Sequence, residues 1–219
     1  MSQTAALNPL QQQAVRHVEG PLLILAGAGS GKTRVLTHRI AHLIETGAAR
    51  PDEILAVTFT NKAASEMKER LEHLLGSGNA AMGPLFAHKA FGVRGMWVGT
   101  FHSICGKILR FELDRLPNSG YRSNFVIFDD TEQLAVVKAG IQALGLDDKQ
   151  YAPRAVLSKI SHAKSNAMSV EAFHEAARSY QAQNVARLYE YYQRELVRQN
   201  ALDFDDMLLL TVRLFERAP

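Results

Sequence analysis

The sequence contains very little cysteine and no long apolar run. Cys105 is the only cysteine among the 219 residues, which excludes an internal disulfide and a cysteine cluster for zinc. A chain without disulfides fits a reducing cytosol. No segment approaches the roughly eighteen apolar residues of a membrane-spanning helix, and the N-terminus lacks a basic region followed by an apolar core. We therefore expect a cytoplasmic protein that is neither exported nor inserted into a membrane.

The net charge of the chain is also small. The chain has 25 Lys and Arg against 22 Asp and Glu, a net charge of +3. Bulk electrostatics therefore neither demands nor excludes nucleic acid, and any such site must depend on local placement. The content of 47% hydrophobic and 21% charged residues is typical of a soluble globular protein. The length fits one large domain or two small ones.

A glycine-rich segment stands between an apolar run and a helical pattern. Residues 22–25 read Leu-Leu-Ile-Leu and predict a strand, and the loop after them is Ala26, Gly27, Ala28, Gly29, Ser30 and Gly31. Backbone N–H groups of such a loop can surround a polyphosphate, Lys32 can reach its β- and γ-phosphates, and the Thr33 hydroxyl can ligate Mg²⁺. Ala26 stands where the strict G-x-x-x-x-G-K-[ST] pattern has glycine, but alanine is small enough there. The segment predicts a nucleotide-phosphate site.

Strands and helices alternate over the first hundred residues, which predicts a parallel sheet flanked by helices. The predicted strands are Leu22–Ala26, Ile54–Phe59 and Met96–Phe101, and a glycine-rich loop spans Gly76–Gly95. After Ser103 the pattern becomes helical, with one later strand candidate at Phe125–Phe128. The predicted helices are Ile104–Leu116, Thr131–Leu144, Arg154–Ala163, Val170–Tyr180, Val185–Gln199 and Phe204–Arg217. We expect an α/β unit followed by a mainly helical one.

Aromatic and polar residues follow the second and third predicted strands. They are Phe59, Thr60, Asn61 and Lys62 after the second strand, and Thr100, Phe101 and His102 after the third. Aromatic faces stack on unpaired bases, while hydroxyl, amide and ammonium groups bind phosphates, so the two tips predict a platform for single-stranded nucleic acid. In the alternative interpretation, Phe59 and Phe101 are core residues that close the sheet.

Two acidic pairs are candidates for the magnesium-binding half of an ATPase site. Asp129-Asp130 follows the apolar run Phe125–Phe128, as such a site requires, but these residues also resemble the cap of the next helix. Asp205-Asp206 precedes an apolar run, which suits a helix N-terminus. We interpret both pairs as structural, and keep Asp129 as a magnesium ligand as the alternative.

A basic stretch lies in the helical part. It consists of Lys149, Arg154, Lys159, His162 and Lys164. This stretch predicts either contact with a nucleic-acid backbone or an ordinary solvated helix face.

Taken together, these motifs resemble the N-terminal portion of the superfamily 1A DNA helicases, the UvrD, Rep and PcrA group. Leu7 to Val15 resembles the Q motif, with Gln11 in the position that reads adenine. Ala26 to Thr33 resembles motif I, in which the residue matching Arg34 packs on the nucleotide base. Thr58 to Ala64 resembles motif Ia, and Thr100 to Ser103 resembles motif Ib, both of which contact DNA.

The resemblance implies a RecA-like subdomain 1A at residues 1–103, a helical subdomain 1B at 104–201, and a return into 1A at 202–219. The family's Asp-Glu Walker B motif would follow Pro219, so the resemblance implies a truncated chain that binds nucleotide without useful turnover. It also favours the helix-cap interpretation of Asp129.

We therefore expect the N-terminal part of an ATP-dependent 3′-to-5′ DNA helicase. The resemblance implies ATP and Mg²⁺ as cofactors, and single-stranded DNA and junctions of single- and double-stranded DNA as partners. An incomplete parallel sheet would also leave an edge that favours self-association. Two alternatives stay open: a self-sufficient P-loop NTPase or kinase, and a nucleic-acid-binding module that ignores nucleotide.

Overall fold

The computed structural model describes residues 7–78 and 95–217, and these divide between two compact units, Met1–Ile104 and Cys105–Pro219. Most of the predicted Gly76–Gly95 loop lies outside the described residues. Residues 202–217 group with the second unit.

Short elements form the first unit. Its helices are α1 (Pro9–Arg16), α2 (Lys32–Glu45) and α3 (Asn61–Gly78), with a 3₁₀ turn at Pro51–Glu53. Strands β1 (Leu55–Thr58) and β2 (Trp97–Thr100) pair in parallel, with Leu55 opposite Trp97 and Thr58 opposite Thr100. The core between α2, α3 and these strands is apolar, with Ile40, Ala56, Met67, Leu71 and Val98 buried. This core fixes the ends of β1 and β2, where the predicted platform lies.

The prediction of a strand at Leu22–Ala26 is wrong for this structure. Residues 21–27 have no regular secondary structure, and the Leu23 and Leu25 side chains are 81% and 86% exposed. A strand needs a neighbour for its N–H and C=O groups, and no strand among the described residues pairs with this segment. The described residues of the first unit therefore have a mixed α/β structure with a two-stranded sheet.

The second unit is mostly helical. Helix α4 (Phe101–Glu112) leads into it, followed by α5 (Asp130–Ala143), α6 (Pro153–Ser165), α7 (Val170–Ala176), α8 (Tyr180–Gln199) and α9 (Phe204–Arg217). Short strands β3 (Val126–Ile127) and β4 (Ala201–Leu202) pair in parallel. Tyr192, Leu188 and Ile160 are fully buried in one core of this unit, and Leu109 and Leu202 in the other.

Sequence patterns predicted α9 to the residue, but missed β4 and misplaced the start of α8. Helix α8 begins at Tyr180, not near Val185, because the Ser179 side chain accepts a hydrogen bond from the Ala182 N–H and caps the helix there. Strand β4 has two residues, too few for any alternation to be recognised.

Candidate functional site

The glycine loop turns through residues that require a left-handed backbone. Gly29 and Gly31 have φ angles of +74° and +85°, which L side chains rarely adopt. Gly31 is the N-cap of α2, so the loop delivers the chain directly into the first turn of that helix. A helix N-terminus carries free N–H groups and a partial positive charge, which together attract phosphate.

The Lys32 ammonium lies over this loop. Its Nζ donates hydrogen bonds to the carbonyl oxygens of Ala26 at 3.0 Å and Gly27 at 2.6 Å. The Ser30 hydroxyl also donates to the Gly27 carbonyl, at 2.7 Å. The cation is thus held where the loop turns, with its side chain exposed to solvent.

The next residues along α2 face the same region. Thr33 and Arg34 are exposed on the first turn of the helix. The Thr33 hydroxyl fits a Mg²⁺ ion, because magnesium takes oxygen ligands and usually keeps several waters and substrate phosphates in addition to few protein groups.

His38 lies one turn further along α2. Burial, and then the nearby Arg34 guanidinium, lower the pKa of His38, so this imidazole is neutral at pH 7.

Gln11 connects α1 to the glycine loop. Its Oε1 accepts a hydrogen bond from the Asn8 N–H at 3.0 Å, within a capping box that begins α1. Its Nε2 donates to the Ser30 carbonyl at 3.0 Å. An added Cβ at Gly31 would lie 3.3 Å from this Nε2, so a side chain there would displace the Gln11 amide in addition to straining the backbone. The structure therefore brings the predicted adenine reader to the predicted phosphate loop.

Phe59 and Phe101 lie side by side. Their ring centroids are 5.6 Å apart with an interplanar angle of 46°. Phe59 is 91% exposed and Phe101 is 45% exposed, so Phe59 is not the core residue of the alternative interpretation. Two exposed aromatic rings in contact are costly to leave in water and are typical of a binding surface.

The polar residues beside these rings have different environments. Asn61 and Lys62 are exposed on the first turn of α3, where the Thr60 hydroxyl accepts a hydrogen bond from the Ala63 N–H at 3.2 Å. Thr100 is buried, and its hydroxyl accepts from the Ser103 N–H at 3.2 Å. His102 is partly buried. The exposed members of the predicted contact set are thus Phe59, Thr60, Asn61, Lys62 and Phe101.

Asp129 is the N-cap of α5. Its carboxylate accepts hydrogen bonds from the N–H groups of Thr131 at 2.8 Å and Glu132 at 3.0 Å, and the Glu132 carboxylate accepts from the Asp129 N–H. This reciprocal capping box supports the structural interpretation of the pair. Among the residues that the structure describes, no cluster of three or more His, Cys, Asp or Glu side chains is arranged to hold a metal ion.

The second unit contains a buried ionic cluster that the sequence analysis did not predict. The Lys164 Nζ lies 2.6 Å from Asp203 and 2.9 Å from Asp206, and the Tyr192 hydroxyl donates to Asp203 at 2.9 Å. Burial lowers the pKa of Lys164, but the two carboxylates outweigh this effect and raise it. The i, i+3 spacing of Asp203 and Asp206 was visible in the sequence, but nothing local pointed to Lys164. This lysine is therefore not available for the predicted basic surface.

Comparison with known protein families places the chain in the class of helicase N-terminal domains. The match to the UvrD/REP helicase N-terminal domain covers residues 7–219, so the chain belongs to this family, as the sequence motifs predicted.

Several curated relatives are similar over nearly the whole chain. The chain is 46% identical over 215 residues to the ATP-dependent DNA helicase PcrA of Bacillus subtilis, covering 98% of this chain and 27% of that protein. It is also 46% identical over 213 residues to the PcrA of Staphylococcus epidermidis and 44% identical to that of Staphylococcus aureus, again with 97% of this chain and 27% of the relative covered. The chain therefore spans about a quarter of the length of these relatives.

None of the helices within residues 7–78 and 95–217 has the length and apolar character needed to cross a bilayer.

Proposed function

We propose that the chain is the part of an ATP-dependent 3′-to-5′ DNA helicase that binds ATP and single-stranded DNA. Residues 1–103 correspond to subdomain 1A and 104–201 to subdomain 1B, with 202–219 leading back to 1A. The observation that carries this proposal is the arrangement around the glycine loop, in which Lys32 lies on the loop and Gln11 contacts it through Ser30.

ATP binding is assigned to one set of residues. The set comprises Gln11, Ala26, Gly27, Ala28, Gly29, Ser30, Gly31, Lys32, Thr33 and Arg34. Loop N–H groups and the α2 N-terminus surround the phosphates, Lys32 moves from the loop carbonyls to the β- and γ-phosphates, and Thr33 ligates Mg²⁺. Gln11 and Arg34 contact the base.

DNA binding is assigned to the ends of β1 and β2. Phe59 and Phe101 stack on unpaired bases, and Thr60, Asn61, Lys62, Thr100 and His102 contact the strand or position it. Stacking on an aromatic ring contributes about 1–3 kcal/mol per base. Support comes from the exposure of Phe59 and its contact with Phe101. In a whole helicase this surface would engage single-stranded DNA beside a duplex junction.

The 219-residue chain is proposed to bind ATP without sustained hydrolysis. Hydrolysis of this type needs a carboxylate that holds Mg²⁺ and orients water. Asp129, the alternative candidate, already accepts two backbone hydrogen bonds as a helix cap. A cytoplasmic location belongs to the same proposal.

Two variants with opposite effects test this function. Lys32→Ala is expected to weaken binding of a fluorescent ATP analogue by about tenfold or more, because a charge-assisted hydrogen bond is lost, and to leave oligo-dT affinity unchanged. The double variant Phe59→Ala and Phe101→Ala is expected to weaken oligo-dT binding by about tenfold or more and to leave nucleotide affinity unchanged. Lys68→Ala, an exposed lysine further along α3, is the matched control for both measurements. The proposal would be overturned if either variant lost affinity for the ATP analogue and for oligo-dT to the same extent. It would also be overturned if the wild-type protein bound no ATP.

A further inference from the structure

Helix α1 has only eight residues, which is too few for a stable isolated helix. It nevertheless carries Gln11, whose amide must be held in place if it is to distinguish one base from another. Apolar contact supplies one support, since Leu7 and Val15 are buried with Val35 of α2. These contacts hold the helix onto α2 but do not by themselves fix its position along that surface.

Arg39 supplies a directional contact at the C-terminal end of α1. One guanidinium nitrogen of Arg39 donates hydrogen bonds to the Ala14 carbonyl, at 2.9 Å, and to the His17 carbonyl. The last carbonyls of a helix have no partner within the helix, and a cation there interacts favourably with the helix dipole. Arg39 therefore caps α1 from a neighbouring helix.

Arg39 belongs to the helix that begins at the glycine loop. It follows Lys32 by seven residues, or about 10 Å along the α2 axis. Helix α1 is thus held near both of its ends, by Gln11 to Ser30 of the glycine loop and by Arg39 of α2 to Ala14 and His17. This two-point attachment determines where the Gln11 amide lies relative to the loop.

The Gln11 amide keeps hydrogen-bonding capacity in this position. A primary amide has two N–H donors and an oxygen with two lone pairs. Asn8 uses one lone pair and Ser30 uses one N–H, which leaves one donor and one acceptor for a ligand. Adenine presents the complementary pair, the N7 acceptor and the N6 amino donor, whereas guanine has two acceptors, N7 and O6, on the same edge.

We infer that Arg39 is a positioning residue for base selection: by capping α1 against α2, it holds Gln11 where its remaining donor and acceptor meet an adenine edge. The inference rests on the proposed nucleotide function, and it assigns a role to a residue that does not itself contact nucleotide. The phosphates are bound by the loop and the α2 N-terminus, which Arg39 does not touch. Its loss should therefore affect base preference and spare phosphate affinity.

The test measures the affinities of ATP, GTP and inorganic tripolyphosphate, each with Mg²⁺, by titration calorimetry. In wild-type protein we expect ATP to bind more tightly than GTP, because O6 of guanine cannot donate a hydrogen bond to the Gln11 oxygen. Arg39→Met should reduce this preference by about fivefold, the worth of one hydrogen bond, while changing tripolyphosphate affinity less than twofold. Gln11→Ala should cause the same loss, and the double variant should lose no more than either single variant, because both act through one contact.

Two further variants make the test decisive. Arg39→Lys keeps a donor and the charge, so it should retain part of the preference for ATP. Circular dichroism and the thermal midpoint will show whether Arg39→Met is folded, and Arg39→Lys serves as the test if it is not. Arg70→Met, which removes an exposed arginine paired with Glu66 at 3.7 Å, should change nothing. The inference is overturned if a folded Arg39→Met or Arg39→Lys protein keeps the full preference, or if tripolyphosphate binding falls as much as ATP binding. Wild-type protein that binds ATP without preference over GTP also overturns it, whereas wild-type protein that binds neither ATP nor tripolyphosphate refutes the proposed function itself.

Discussion

Lys164 and Asp203 form an ion pair of 2.6 Å in the interior of the second unit, although 39 residues separate them in the chain. Asp206 completes the cluster at 2.9 Å from the same ammonium group. The lysine comes from the end of α6, Asp206 from the first turn of α9, and Asp203 from the position just before that helix. The cluster therefore joins two helices whose relative position apolar packing alone would leave less defined.

Removal of Lys164 is expected to destabilise the second unit strongly. Lys164→Met leaves two buried carboxylates without their cation, and breaking a buried pair in this way costs about 3–5 kcal/mol. Urea unfolding followed by circular dichroism measures the change. Lys159→Met, on an exposed position of the same helix, should change the free energy of unfolding by less than about 0.5 kcal/mol. Equal stability of the two variants would show that the cluster contributes nothing.

The cluster also predicts a pH dependence of stability. Burial raises the pKa of Asp206 from 3.8 to about 6, with Lys164 opposing the rise and Asp203 adding to it. Since the folded pKa exceeds the unfolded one, the folded state retains the proton between about pH 4 and 6. The stabilisation is complete below pH 4 and is lost as the pH rises through 6.

The variant Asp206→Asn isolates this effect, because its side chain does not titrate. From pH 4 to pH 6 the free energy of unfolding of the wild type, relative to this variant, should fall by about 2 kcal/mol. Glu171 and Glu195 have lowered pKa values and contribute slopes of the opposite sign, but they are present in both proteins and cancel. A difference that stays flat across this range contradicts the assignment.

The Asp129 cap can be separated from a metal-binding role by two substitutions. Asp129→Ala should lower stability by about 0.5–2 kcal/mol, whereas Asp129→Asn should retain most of it because asparagine also caps helices well. Neither should change the affinity for the Mg²⁺ complex of an ATP analogue. If Asp129→Asn folds normally but loses magnesium-dependent nucleotide binding, the carboxylate is a ligand after all.

Gly31→Ala should perturb the nucleotide site. Its φ angle of +85° costs about 1–2 kcal/mol for an alanine, and the new Cβ would lie 3.3 Å from the Gln11 Nε2. We expect a lower thermal midpoint and weaker binding of the ATP analogue. Gly27→Ala is the control for the thermal measurement, because its φ is not positive and a Cβ there meets nothing within 4 Å. A Gly31→Ala protein as stable as this control would count against the strain argument.

The exposed apolar segment before the loop predicts self-association. Leu23 and Leu25 are 81% and 86% exposed in a segment without regular secondary structure, and no strand of the described residues pairs with it. An exposed apolar segment whose backbone groups have no strand partner can pair with the same segment of another chain. Sedimentation velocity should show concentration-dependent dimers, which the double variant Leu23→Lys and Leu25→Lys reduces. A monomer at all concentrations would refute this prediction.

Local patterns in the sequence determined much of this protein. Helical periodicity and capping residues predicted α9 correctly and α5 to within one residue at each end, because both signals arise within a few residues of each other. The order of glycines, lysine and threonine from Gly27 to Thr33 determined the candidate phosphate site and, with the other motifs, the family. These features depend on the conformations that each residue type permits, and they can be read before any packing is known.

Only the tertiary structure decided which distant residues meet. Among the residues that the structure describes, it left Leu22–Ala26 without a strand partner, brought Phe59 against Phe101, and attached Gln11 to Ser30 and Arg39 to α1. It also buried Lys164, which in the sequence was indistinguishable from its exposed neighbours. A strand requires another strand for its hydrogen bonds, and a buried charge requires a counter-charge. The partner strand and the counter-charge both come from residues distant in the sequence, so no local pattern could have revealed which residues they are.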